Sequence, residues 1–217
     1  MKLCGIDEAG RGCVIGPLVI CGAMIDSEKE HALKELGVKD SKLLTPKQRE
    51  RIAKELPKHV KYQLIIVPPA EIDENVLSEN GANLNWLEAD KSVELINMLN
   101  PEKAIVDCPS NNVKAYHEYL WERLMAKKID LKTEHKADVN YLIVGAASIL
   151  AKVTRDAEIE KIKKHVGFDF GSGYMADPRT AEFLKKAWDK HPEIFRHSWA
   201  PYRELAGLKK QKKIGEF

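Results

Sequence analysis

Apolar residues gather in short dense blocks, separated by polar stretches with helical spacing. Residues 2–7 form a buried block that ends on two carboxylates, Asp7 and Glu8. A second block runs from Pro17 to Ile25 after a Gly16-Pro17 turn, and a third from Val60 to Val67, closed by Pro68-Pro69. Blocks of this length and composition predict strands, and their short separations predict an antiparallel meander. Between the second and third, Thr45 followed by Pro46 predicts a helix over residues 45–56, with a hydroxyl cap and a proline in the first turn. Apolar positions at Leu84, Leu87, Val93, Leu95, Ile96 and Leu99 predict a helix over 82–99. A short strand over 103–107, a helix over 112–127 and a strand over 129–134 follow. A long helix over 141–165 comes next, then a glycine-rich loop at 171–174 and a helix near 178–190. Three strands followed by alternating helices and strands predict an α/β fold: a mixed five-stranded sheet with helices on its faces.

The chain has 217 residues, enough for one domain with a small appendage. No repeat or low-complexity linker divides it. Two segments are expected, 1–167 as the main domain and 168–217 as a helical extension and tail packed on it. The most apolar run, roughly 141–150, is too short to span a bilayer, and Asp7 and Glu8 interrupt any leader-like start. A cytoplasmic monomer is expected. The four cysteines, Cys4, Cys13, Cys21 and Cys108, form no CxxC pair and read as small buried hydrophobes rather than zinc ligands. Net charge is only +2. Lysines nevertheless cluster at 127, 128, 132 and 136 and again at 209, 210, 212 and 213. Such local patches can hold phosphates while acids elsewhere balance the sum.

Asp7 and Glu8 close the first strand, Asp107 closes the fourth, and Asp138 follows the fifth. Adjacent strand ends meet in space, so these carboxylates are expected to converge. Four gathered acids repel one another unless cations sit among them, and hard oxygen donors suit Mg²⁺ or Mn²⁺. A pair of such ions is the usual apparatus for cleaving phosphodiesters. Adjacent residues on a strand face opposite ways. Asp7 and Glu8 therefore share a site if the strand has ended or bends there, with Gly10 permitting the bend, or else Glu8 also contributes its backbone carbonyl.

Gly5-Ile-Asp-Glu-Ala-Gly-Arg-Gly12 resembles the opening motif of the type 2 ribonucleases H. Four further blocks agree in order: Lys39-Asp-Ser-Lys42, Ile105-Val-Asp107, Glu134-His-Lys-Ala-Asp138 and Ala146 to Asp156. A last block is Gly171-Ser-Gly-Tyr174 with Asp177-Pro178. The likeness covers residues 3 to about 180 and has the look of the archaeal branch. Cys13 stands where proline is frequent, Gly145 where serine is usual, and Met175-Ala176 where Pro-Ser is usual. None of these touches a carboxylate.

The resemblance implies a ribonuclease H-like three-layer domain with a helical C-terminal extension. It also implies endonucleolytic cleavage of RNA in RNA–DNA hybrids and 5′ of ribonucleotides embedded in duplex DNA, leaving 3′-hydroxyl and 5′-phosphate ends. Asp7, Glu8, Asp107 and Asp138 match the family's metal-binding, catalytic carboxylates. Gly10, Arg11 and Gly12 would bring bare backbone to the ribose 2′-hydroxyl, which separates RNA from DNA. Tyr174 would pack on the sugar of the neighbouring deoxynucleotide. Lys42, Lys136, Ser148 and Lys152 are candidate phosphate contacts. His135 and His197 read as ordinary polar packing.

Gln211, Ile214 and Phe217 give the spacing Q-x-x-I-x-x-F, which resembles peptides that dock on replication sliding clamps. Two rivals fit less well. A metal-dependent phosphatase needs a second aspartate two residues after the first, where this chain has Ala9. A non-catalytic hybrid-binding protein has no use for four acids at strand ends.

Overall fold

The computed structural model describes residues 1–78 and 83–214. In chain order the elements are β1 (Lys2–Ala9), β2 (Leu18–Asp26), α1 (His31–Glu35), α2 (Pro46–Glu55), β3 (Lys61–Val67) and α3 (Pro69–Val76). Then come α4 (Leu84–Leu99), β4 (Lys103–Asp107), α5 (Val113–Arg123), β5 (Asp130–Glu134), α6 (Ala137–Asn140), α7 (Leu142–Val166), α8 (Pro178–Ala187) and α9 (Ala200–Ile214). The strands form one sheet in the order β3-β2-β1-β4-β5. β1 pairs antiparallel with β2 and parallel with β4, and β4 pairs parallel with β5. The α/β expectation of a mixed five-stranded sheet with helices on it is met. Among the described residues no helix is long and apolar enough to cross a membrane.

Contacts divide the chain into two compact units. The first comprises Met1–Ala9, Val19–Ile66 and Leu84–Arg155. The second comprises Gly10–Leu18, Val67–Asn83 and Asp156–Phe217. The boundary between the units falls inside α7, and the second unit includes two earlier segments.

In the first unit, Val19, Cys21, Ala23 and Ile25 of β2 pack with Leu3 and Ala9 of β1 and with Ile143, Ala146, Ala147 and Leu150 of α7. Gly5 lets α7 close on the sheet. A Cβ there would lie 2.5 Å from the Ile143 carbonyl carbon and the Val144 nitrogen. The other face of β1 carries Ile6, which with Leu95 and Leu99 of α4 crowds Gly22. At α2, Thr45 and Gln48 complete a reciprocal capping box, and Pro46 stands in the first turn as expected.

The second unit has its own core. Val14, Ile15, Ile159, Phe170, Phe183, Leu184, Phe195 and Tyr202 pack together. Asp73 of α3 pins the segment before α9. Its carboxylate accepts hydrogen bonds from the His197 and Ser198 amides at 2.7 and 2.8 Å and from the Ser198 hydroxyl at 2.5 Å.

Candidate active site

The register of the parallel strands places the acids. β1 and β4 pair from Leu3↔Lys103 to Ile6↔Val106, so Asp7 and Asp107 come next, side by side, where that pairing ends. Oxygens of Asp7, Glu8 and Asp107 lie within 4.8 Å of one another. The condition that β1 must end or bend at this point is not met, because β1 stays paired with β2 to Ala9↔Val19. What gives way is the neighbour. β4 stops at Asp107, leaving an open edge around which side chains from opposite faces of β1 converge. The carboxyl ends of parallel strands are the usual place for a ligand in such sheets.

The cluster is charged against its environment. Asp7 is only 5% exposed. Burial first, then the neighbouring Glu8 and Asp107 carboxylates, push its pKa well above the usual carboxylate range. Hydrogen bonds from the Ser148 hydroxyl and the Glu8 amide, the latter 2.8 Å long, offset part of this. Burial also raises Asp107, and the Asp138 carboxylate adds to it. The Ala137 amide, donating to Asp107 Oδ1 at 2.7 Å, works the other way, as do Lys42 and His135.

Asp138 stands at the start of α6, 4% exposed, and lies outside the three-acid group. Its Oδ2 takes a 3.2 Å hydrogen bond from Lys42 Nζ. Burial alone would lower the Lys42 pKa, but Asp138 outweighs it and the ammonium is held charged.

The other expected contacts fall in different places. Ser148 is buried in α7, where its hydroxyl serves Asp7 and lies 2.9 Å from the Ser41 hydroxyl. Its hydroxyl is thus engaged with a carboxylate. Ser41 was not singled out from the sequence, although it sits in Lys39-Asp-Ser-Lys42. Lys152 follows one turn later on α7, half-buried. Lys136 is exposed and caps α6 in the left-handed conformation, φ 58°. His135 Nδ1 lies 2.9 Å from the Cys108 carbonyl, and His197 stacks on Tyr202 with ring centroids 4.2 Å apart.

Gly10, Arg11, Gly12 and Tyr174 belong to the second unit. Gly10 has φ 90°, a backbone shape that favours glycine. The Val14 and Ile15 amides both donate to the Gly173 carbonyl, at 2.9 and 3.3 Å, tying the two glycine loops together. A Cβ on Gly12 would lie 3.9 Å from Tyr174 Cε1. The Tyr174 loop is braced by Asp177, whose carboxylate accepts from the Ser172 amide at 2.8 Å, and by Thr180, whose hydroxyl accepts from the Gly173 amide at 3.0 Å. Arg196, which the sequence did not suggest, is fully buried beneath the Gly10–Gly16 segment. Phe217 lies outside the described residues. Gln211 and Ile214 fall in α9, and their side chains are also outside what is described.

Oxygen donors crowded to this degree, with the proton affinity of Asp7 and Asp107 raised by burial first and by neighbouring carboxylates second, form a cradle that a hard divalent cation fits. A family model described as Ribonuclease HII matches residues 4–202. A ribonuclease HII of Pyrococcus abyssi is 46% identical over 211 residues, covering 94% of this chain and 91% of that protein. The crystal structure of ribonuclease H2 from Pyrococcus horikoshii OT3 superposes with a TM-score of 0.87 at 44% identity, covering 97% of this chain and 99% of that one. The structure of a PCNA:RNase HII complex from Archaeoglobus fulgidus matches with a TM-score of 0.83 at 41% identity, covering 92% and 95%.

Proposed function

The chain belongs to the ribonuclease HII family, and from that membership we propose that it is a metal-dependent endoribonuclease acting on the RNA strand of RNA–DNA hybrids and 5′ of ribonucleotides set in duplex DNA. The products are 3′-hydroxyl and 5′-phosphate ends. The convergence of Asp7, Glu8 and Asp107 at the open end of β1 and β4 carries this reading.

Asp7, Glu8 and Asp107, with Asp138 from α6, would hold Mg²⁺ or Mn²⁺. When bound, a pair of such ions supplies water activation and stabilises the departing 3′ oxygen. Ser148 and Ser41 keep Asp7 in one orientation. The Ala137 amide does the same for Asp107. Lys42, Lys136 and Lys152 position the phosphate backbone and read no sequence. The Gly10-Arg11-Gly12 backbone, which follows Glu8 after one residue, recognises the ribose 2′-hydroxyl, and Tyr174 packs on the next sugar. The work is cytoplasmic, in repair and replication. The Q-x-x-I-x-x-F tail docks on a sliding clamp, a reading supported by the related protein whose complex with PCNA has been solved.

The test is a labelled DNA duplex carrying one ribonucleotide, incubated with Mg²⁺ or Mn²⁺ beside Asp107→Asn and Asp138→Asn variants. A single cut 5′ of the ribonucleotide, lost in both variants and without metal, is expected. Cutting only within long hybrids would refute the junction reading, and no cutting of either substrate would refute the enzyme. Deleting residues 211–217 abolishes clamp binding and spares clamp-free cleavage; unchanged clamp affinity would refute the tail reading.

A further inference from the structure

Arg196 is fully buried, and its guanidinium directs its Nε, Nη1 and Nη2 donors onto one short segment. Its Nη2 donates to the Gly10 carbonyl at 2.6 Å and to Cys13 Sγ at 3.0 Å. Its Nη1 donates to the Arg11 carbonyl at 2.8 Å, and its Nε to the Gly16 carbonyl at 3.1 Å. The guanidinium plane also sits 4.8 Å from the centre of the Trp199 ring. Cys13 closes the network by donating its thiol hydrogen to the Gly10 carbonyl at 2.9 Å. A buried cation costs several kcal/mol in desolvation, so donors aimed at one short segment indicate a demand on that segment's shape.

The consequence follows from the planar trans peptide, in which C=O and N–H point in opposite directions. Arg196 draws the carbonyls of Gly10 and Arg11 inward. The amides sharing those two peptide planes, N–H of Arg11 and N–H of Gly12, are thereby aimed the other way, side by side. Two adjacent donors fixed in parallel are suited to a hydroxyl oxygen.

We propose that Arg196 is the positioning residue for ribose recognition, setting the Gly10-Arg11-Gly12 amides so that a 2′-hydroxyl is bound without rearrangement of the loop. Cys13 assists it. The inference rests on reading this loop as the ribose sensor. Arg196 touches no substrate; it acts by preorganisation, which spares the ordering cost at the moment of binding.

The experiment compares binding of the full-length protein, in Ca²⁺, to two duplexes that differ only in one ribonucleotide. The readout is the ratio of their affinities. Arg196→Lys, with one ammonium in place of the planar fork, is expected to lower that ratio by at least about tenfold, the worth of a lost charge-assisted hydrogen bond. Affinity for the all-DNA duplex stays as it was. Cys13→Ala leaves the guanidinium in place and gives a smaller fall in the same ratio. Should Arg196→Lys fail to fold, Cys13→Ala decides. A folded Arg196→Lys with the wild-type ratio, or with both affinities lowered equally, would overturn the inference while leaving the sensor reading standing. A wild-type ratio of one would overturn the sensor reading, and the inference with it.

Discussion

Replacing Asp7 with asparagine should abolish cleavage and, at the same time, stabilise the metal-free protein. Asp7 is buried with two carboxylates whose oxygens lie within 4.8 Å. At that separation, like charges repel by about 3.5 kcal/mol for an effective dielectric near 20. Asparagine keeps the shape and an acceptor for the Ser148 hydroxyl and the Glu8 amide, but those bonds lose their charge assistance, each worth about 1 kcal/mol. The net gain is on the order of 2 kcal/mol, or roughly 4–8 °C in Tm for a chain of this size. The sign with pH is fixed. A carboxylate whose pKa is raised in the folded state favours folding below its unfolded value, about 3.9, and loses that contribution as pH rises through the folded pKa. The gap between variant and wild type should therefore widen as pH rises from the unfolded value through the folded pKa. Melting curves in EDTA across that range measure it. Adding Mg²⁺ should stabilise the wild type more than the variant and so narrow the gap. A variant that melts below wild type in EDTA at pH 8, or a gap that shrinks as pH rises, would refute the account of the site as a set of acids held apart from their cation.

Gly5→Ala forces a methyl group into the α7 backbone and should cost about 3 kcal/mol in denaturant unfolding; a loss under half of that would mean α7 can shift. Asp177, held down to about 2 by Arg179 and the Ser172 amide, stabilises the fold above about pH 4 and ceases to as pH falls through 2. Asp177→Ala should lower Tm at pH 7 by more than at pH 2, as followed by circular dichroism. Asp73→Asn places an amide where two backbone N–H groups need acceptors and should cost about 1–2 kcal/mol. Faster hydrogen exchange at the His197 and Ser198 amides would report it.

Wherever local chemistry and pattern agreed, the sequence was readable. Lys103–Asp107 is a strand with the expected bounds, and Thr45-Pro46 starts α2. Pro68-Pro69 ended a strand as expected, but Pro69 also opens α3, because a proline that stops one element suits the first turn of the next. The helix expected to 127 stops at Arg123, before Leu124 turns extended. The acids were legible because charges at the ends of apolar runs are costly and therefore conspicuous. Their supports were not. Ser41 gains its meaning from Ser148, 107 residues away, and Arg196 reads as one more surface cation until the chain folds over it. How Asp7 and Glu8 share a site depended on where β4 ends, which no local pattern in β1 reveals.

The discontinuous make-up of the second unit sets an order of events during synthesis. The glycine loop leaves the ribosome well before the arginine that shapes it, residue 196. At about 5–20 residues per second, on the order of ten to forty seconds separate the two. On the proposed reading of this loop, a nascent chain owns its acids long before it owns a shaped reader for the sugar. Any fragment released early lacks Arg196, and with it the hydrogen bonds that hold the Gly10–Gly16 segment in shape.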